Sequence, residues 1–138
     1  MIKKILFFLA VLINFVASAQ NSIPYYYHLS KQNGMPTEVV YDVYQDRKGF
    51  IWISTEQGLF RYDGKNYQNY ALDEQTSKSG SCISEDKYGR IWYSNFDGYL
   101  YFIEKGQLKL FKPHIPIGYL KFGIINNSLF TVEEEGVI

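Results

Sequence analysis

Apolar and polar positions alternate along the chain in short bursts separated by turn residues. Val39 to Gln45 is an apolar and aromatic run, and Asp46-Arg47-Lys48-Gly49 follows it. In such a turn the Asp carboxylate can accept backbone N–H bonds and Gly takes the left-handed position. Phe50 to Thr55 is a second run, apolar on both faces at its start, which predicts a strand covered on both sides. Glu56-Gln57-Gly58 turns again and Leu59 to Tyr62 is a third strand. Asp63-Gly64 is a tight-hairpin signal, and Lys65 to Tyr70 reads as a more polar outer strand. The turns are too dense, and a 3.6-residue period too absent, for paired helices.

This pattern recurs. Residues 44–64, YQDRKGFIWISTEQGLFRYDG, align with residues 84–104, SEDKYGRIWYSNFDGYLYFIE, at an offset of 40. Asp46 falls on Asp86, Gly49 on Gly89, Trp52 on Trp92, Ser54 on Ser94 and Gly58 on Gly98. A weaker third copy lies in residues 126–138, with Leu129-Phe130 in the Ile-Trp place and Gly136 in the later glycine place. Four antiparallel strands per repeat of about 40 residues, packed on both faces, describe a propeller blade. The predicted fold is therefore all-β, with blade 1 over about 38–71, blade 2 over about 80–111 and a truncated blade 3 over about 119–138. Ahead of them, Ile23 to Leu29 reads as a lone strand suited to closing a ring by completing its last blade. Propellers close with about 4–8 blades. Two units and part of a third make an incomplete ring of about two to three blades, so the remaining blades are expected to be missing from this chain.

Composition changes this picture at the N-terminus. Lys3 and Lys4 precede an apolar stretch from Ile5 to about Ala17, which ends in Ala17-Ser18-Ala19. That three-part layout predicts a secretory signal peptide over residues 1–19, cut between Ala19 and Gln20, and an exported protein. The chain has 14 basic and 14 acidic residues. That balance lacks the basic face a nucleic-acid partner requires, so none is expected. The single cysteine, Cys82, cannot form an internal disulfide, and the expected fold must stand on its core.

Candidate chemistry is sparse. Asp46 and Asp86 have the chemistry of paired carboxylates for acid–base work, but they are equivalent turn residues of separate repeats. Trp52 and Trp92 could stack on a sugar; their identical slot in an internal strand points instead to packing between blades. Tyr25-Tyr26-Tyr27 could contact a ligand or serve ring closure, and Glu133-Glu134-Glu135 reads as a solvated turn. Cys82 has no activating base near it in sequence, since His28 and His114 lie far off. There is no phosphate-binding loop and no paired-cysteine metal spacing. No catalytic residue, metal or cofactor is expected. The residues marked for the repeat itself are Asp46, Gly49, Trp52, Gly58, Asp63, Gly64, Asp86, Gly89, Trp92 and Gly98.

The stretch GMPTEVVYDVYQDRKGFIWISTEQGLFRYDGKNYQNY, residues 34–70, resembles the two-component regulator propeller repeat. That pattern runs through a Gly-Leu-Pro-like loop, an Asp-x-x-Gly turn, Trp-Ile-Gly-Thr, Gly-Leu and Tyr-Asp-Gly. Met35 stands here for the usual Leu, and Ser54 for the usual Gly. In the second repeat Tyr93-Ser94-Asn95 replaces Ile-Gly-Thr, and Tyr99 replaces Leu. The resemblance implies the N-terminal part of a large periplasmic sensor, membrane-anchored when complete, with an output module such as a phosphorelay histidine kinase. It also implies ligands that are often carbohydrate fragments. A competing expectation is an exported enzyme on a propeller scaffold, such as a polysaccharide lyase or hydrolase; a plainer one is a truncated product without activity.

Overall fold

The computed structural model describes residues 25–112, 118 and 120–133. Its architecture is all-β. The strands are β1 (Val40–Gln45), β2 (Ile51–Thr55), β3 (Gly58–Tyr62), β4 (Tyr67–Tyr70), β5 (Gly80–Glu85), β6 (Ile91–Asn95), β7 (Leu100–Glu104), β8 (Gln107–Leu110), β9 (Leu120–Ile125) and β10 (Ser128–Glu133). They form three antiparallel meanders: β1-β2-β3-β4, β5-β6-β7-β8 and the hairpin β9-β10. Two four-stranded sheets and a two-stranded one, stacked face to face, are two propeller blades and half of a third. The sheets come closest along β1, β5 and β9, with contacts between β2 and β5 and between β6 and β9 as well. They therefore fan out from the inner strands, as blades do around an axis.

Strand register explains why both faces read as apolar. Trp52 pairs with Tyr44 and Arg61, and Ser54 with Asp42 and Leu59, so these side chains share one face of the first sheet. Ile53 pairs with Val43 and Phe60 on the opposite face. The first face meets the second sheet, where Trp52, Leu59 and Tyr70 pack with Ile83, Ile91, Tyr93, Tyr101, Ile103 and Leu108. One repeat later Trp92 and Leu100 pack with Leu120, flanked by Phe102, Phe111, Phe122, Ile124 and Leu129. Each blade thus has a leading face, turned toward the preceding position, and a trailing face that covers the next blade. The core is these two seams.

Two local expectations are corrected, and the third unit turns differently from the first two. Residues 25–29 belong to no strand, and Tyr25 and Tyr26 are 93% and 83% exposed. A strand needs a hydrogen-bonded neighbour, and no described sheet edge pairs with this segment. Residues 23 and 24 of the expected closing strand lie outside the described residues. Asp63-Gly64 does not make a two-residue hairpin: Tyr62 pairs with Tyr67, leaving a four-residue loop. The Asp63 carboxylate accepts bonds from the Lys65 and Asn66 amides, and that side-chain turn competes with the tighter one. In the third unit the Asp-x-x-Gly turn is replaced by Asn126-Asn127, both at positive φ (49° and 64°), between directly paired Ile125 and Ser128. Positive φ at both central residues suits a two-residue primed turn. Gly136 lies outside the described residues.

Candidate functional site

The residues singled out by the repeat assemble into one device, built twice. Asp46 directly follows β1 and is buried. Its Oδ1 accepts the amides of Lys48 and Phe50, both at 2.9 Å, and its Oδ2 accepts the Trp52 indole N–H at 2.8 Å. The Gly49 amide closes the turn onto the Asp46 carbonyl at 2.9 Å, with Gly49 at φ 88°. Asp86 repeats this. Oδ1 takes the amides of Tyr88 and Arg90 at 2.9 and 3.0 Å, Oδ2 takes the Trp92 indole at 3.0 Å, and Gly89 sits at φ 80°. The buried Asp thus joins the turn between the first two strands to the tryptophan of the seam. Sequence reading foresaw the turn and the packing of each tryptophan, but not that one carboxylate links them.

The two copies differ in electrostatics. Arg90 Nε lies 2.6 Å from Asp86 Oδ2. Burial would push the Asp86 carboxyl up, but the Trp92 indole, the Arg90 amide and the Arg90 guanidinium outweigh it and hold the carboxyl below its ordinary value. In blade 1 the cation comes from another strand: the Arg61 guanidinium lies 4.5 Å from the Phe50 ring centre and 6.0 Å from those of Trp52 and Tyr70. In blade 2 Arg90 holds the Phe50 place, 5.3 Å from the Trp92 ring and 5.5 Å from Phe102. Phe102, opposite Trp92, holds the place of Arg61, opposite Trp52. The cation–aromatic pair is reversed between repeats.

Polar bonds rivet the seams. Ser54 Oγ donates to the Gly80 carbonyl, and Ser94 Oγ donates to the Leu120 carbonyl at 3.0 Å. Both serines fill the slot where the resembling repeat has glycine. Asp42 Oδ2 accepts the Ile83 amide at 2.7 Å, beside a register shift between Ser81 and Ile83 where Cys82 adopts φ 59°. Arg47 Nε lies 3.1 Å from Glu85 Oε1, and its guanidinium also donates to the Asp86 carbonyl. At this end of the seam a cavity of about 160 Å³ is lined by Lys48, Phe50, Arg61, Ile91 and Lys105, among others. Its carboxylates are committed, Asp46 to its turn and Trp52, Glu85 to Arg47.

At the opposite end lie Gly58 and Gly98, at φ 121° and 84°. A Cβ on Gly98 would stand 1.9 Å from the Gly118 carbonyl oxygen, so close backbone approach adds to the dihedral demand there. Asp63 and Gly64 shape an exposed loop, and the Asn66 amide, then the Lys65 amide, hold the Asp63 carboxyl below its ordinary value. Cys82 is half-buried. The structure brings Asp46 together with Trp52 and Asp86 with Trp92, and it keeps the two pairs in separate blades. Among the described residues no cluster of His, Cys, Asp and Glu is arranged to hold a metal. No described helix is long and apolar enough to cross a membrane. Ala19, Gln20, His114, Glu134 and Glu135 lie outside the described residues.

A comparison with curated proteins finds no match. The loop before β1, β1 itself, the Asp46 turn, β2 and the start of the next turn, residues 34–57, match the sequence model of the two component regulator propeller family, so the chain carries a repeat of that kind in its first blade.

Proposed function

We propose that this chain is a sector of an exported, ligand-sensing propeller serving two-component signalling, and that by itself it neither binds a small ligand specifically nor catalyses a reaction. The observation that carries the reading is the family match over residues 34–57 in a blade whose Asp–Trp device recurs 40 residues later. The three-part layout of residues 1–19 supports export. In a complete ring the ligand, of carbohydrate type, would sit over the central channel and touch loops of several blades. The sensor would be membrane-anchored, with its output passing to a phosphorelay kinase. Two blades and a hairpin supply only part of such a channel.

Two measurements test this. Intact mass of material recovered from the periplasm should correspond to a start at Gln20; a product retaining Met1 would overturn export. Thermal melting of that material against a panel of mono- and oligosaccharides should show no shift. Selective stabilisation by one sugar would overturn the claim that the sector is inert.

A further inference from the structure

We propose that the cavity between blades 1 and 2, at the end where the Asp turns lie, is a binding site for a small oxyanion, a phosphate or sulfate group. Lys48 lines it from the β1–β2 turn, Arg61 from β3 and Lys105 from the β7–β8 turn, so both blades contribute cations. Among the described residues, none of the three is within ion-pair distance of a carboxylate. The two carboxylates in the wall are already engaged. Asp46 holds two turn amides and the Trp52 indole, and Glu85 accepts the Arg47 guanidinium and, at 2.9 Å, the Arg47 amide. With Arg47 counted, four cations stand against two carboxylates, a local excess of two positive charges in a chain whose formal net charge is zero. A cleft of one sign between low-dielectric walls concentrates the opposite ion.

Arg61 makes the strongest demand. Its guanidinium lies over the Phe50 ring, and one terminal nitrogen donates to the Gln68 side chain at 2.7 Å. Its Nε is buried and has no acceptor among the described residues. A buried donor left unmet costs free energy, which a ligand oxygen recovers. A turn of the guanidinium on its flexible stem presents Nε and a terminal nitrogen together, the fork that suits an oxyanion. The cavity of about 160 Å³ is several times the about 30 Å³ that one water takes in the liquid, so a four-oxygen ion has room. Lys48 and Lys105 also border a wider groove outside it, beside Tyr88, Arg90 and Glu104, and so stand at its mouth. The second seam lacks this arrangement: Tyr88 stands in the place of Lys48 and Phe102 in that of Arg61. The occupant is a class of ion rather than one compound. It ties blade 1 to blade 2 and is separate from the sensed ligand of a complete ring.

Equilibrium dialysis of the full chain against labelled inorganic phosphate, at fixed ionic strength, should show one saturable ion per chain. Sulfate should compete for it and chloride should not. Lys48→Gln and Lys105→Gln should each weaken binding about three- to tenfold, and Arg61→Gln by more than about tenfold. Both lysines are exposed, so their variants should keep the β-sheet circular dichroism of the parent even where Arg61→Gln unfolds. Lys65→Gln, at the same end but outside the cavity, should bind as the parent does. Glycerol phosphate in the same assay separates two sources of the group. Binding weaker than that of phosphate assigns the site to the free ion, and tighter binding assigns the outer groove to the rest of a phosphorylated molecule. No saturable binding at phosphate up to about 10 mM would overturn the site. So would equal losses in Lys48→Gln and Lys65→Gln, which would mean diffuse attraction to surface charge. None of these readouts depends on export or on a neutral sugar, so the sensor reading can fail while the ion site stands, and the reverse.

Discussion

The two seams solve the same packing problem with different means. Between blades 1 and 2, a full sheet covers a full sheet, and the Trp52 ring is flanked by Tyr70 of its own blade and by aliphatic and tyrosine side chains of the next. Between blade 2 and the third unit, a hairpin covers a sheet, and the Trp92 ring leans on Phe102 and Phe111 of its own blade, at 5.2 and 5.3 Å. The second seam adds aromatics on its own side to the Leu120, Phe122, Ile124 and Leu129 side chains across the gap. The cation follows the same logic. Blade 1 places Arg61 across from Trp52 and leaves Phe50 in the turn; blade 2 puts Arg90 in the turn and Phe102 across the sheet. The pair is kept while its members trade strands. What the repeat preserves is therefore a contact, and the residue type at any one position is free to move.

The largest expected effect tests the seams directly. Trp52→Ala and Trp92→Ala should each cost about 3–5 kcal/mol in urea unfolding. Trp52→Ala should fall at the upper end, because its cavity opens against a complete sheet. Equal losses, or a larger one at Trp92, would show that the intrablade aromatics do not compensate.

Asp86→Asn should come next, at about 1.5–3 kcal/mol at neutral pH, since it removes charge from bonds to Trp92, Arg90 and the turn. Its pH dependence is the sharper readout. The folded carboxyl lies below its ordinary value of 3.8. The stability it contributes is fully present above that value and is lost as pH falls through the lower folded one. The parent should therefore weaken with acid below about pH 4, and Asp86→Asn should flatten that limb; an unchanged limb would assign the acid loss to other carboxylates.

Glycines separate two kinds of constraint. At Gly80 a Cβ would stand 2.2 Å from the Ser94 carbonyl oxygen and 2.5 Å from the Tyr93 hydroxyl, so Gly80→Ala should cost about 1–3 kcal/mol by crowding. At Gly49 nothing lies within 4 Å, and Gly49→Val should cost about 1–2 kcal/mol through its positive φ alone. If Gly49→Asn, which tolerates that dihedral, restores the parent melting temperature while Gly80→Asn does not, the distinction holds.

The smallest effect bears on the reversed pair. Exchanging Arg90 and Phe102 together would give blade 2 the arrangement of blade 1. The double variant should lie within about 1 kcal/mol of the parent, the size of a partly exposed cation–aromatic contact. Each single change should cost more than the double. Simple addition of the two losses, measured by the same unfolding experiment, would mean the residues act independently.

Much of this was legible along the chain, because it rests on local chemistry. The alternation of apolar runs with Asp and Gly turns placed both full blades, and the offset of 40 residues made their equivalence visible before any packing was known. An Asp three residues ahead of a Gly, between two apolar runs, is enough to predict a capped turn, and two tryptophans in one slot are enough to predict a shared seam. Tertiary structure alone decided which face each side chain serves and what crosses the gap. The link from Asp46 to Trp52 spans only six residues, yet it requires β2 to fold back beside the turn. The bonds from Ser54 to Gly80 and from Ser94 to Leu120 join residues 26 apart, and no periodicity marks a hydroxyl as a donor to another sheet. The tyrosine segment at 25–29 has the composition of a strand and forms none, because a strand exists only where a neighbouring edge supplies its hydrogen bonds.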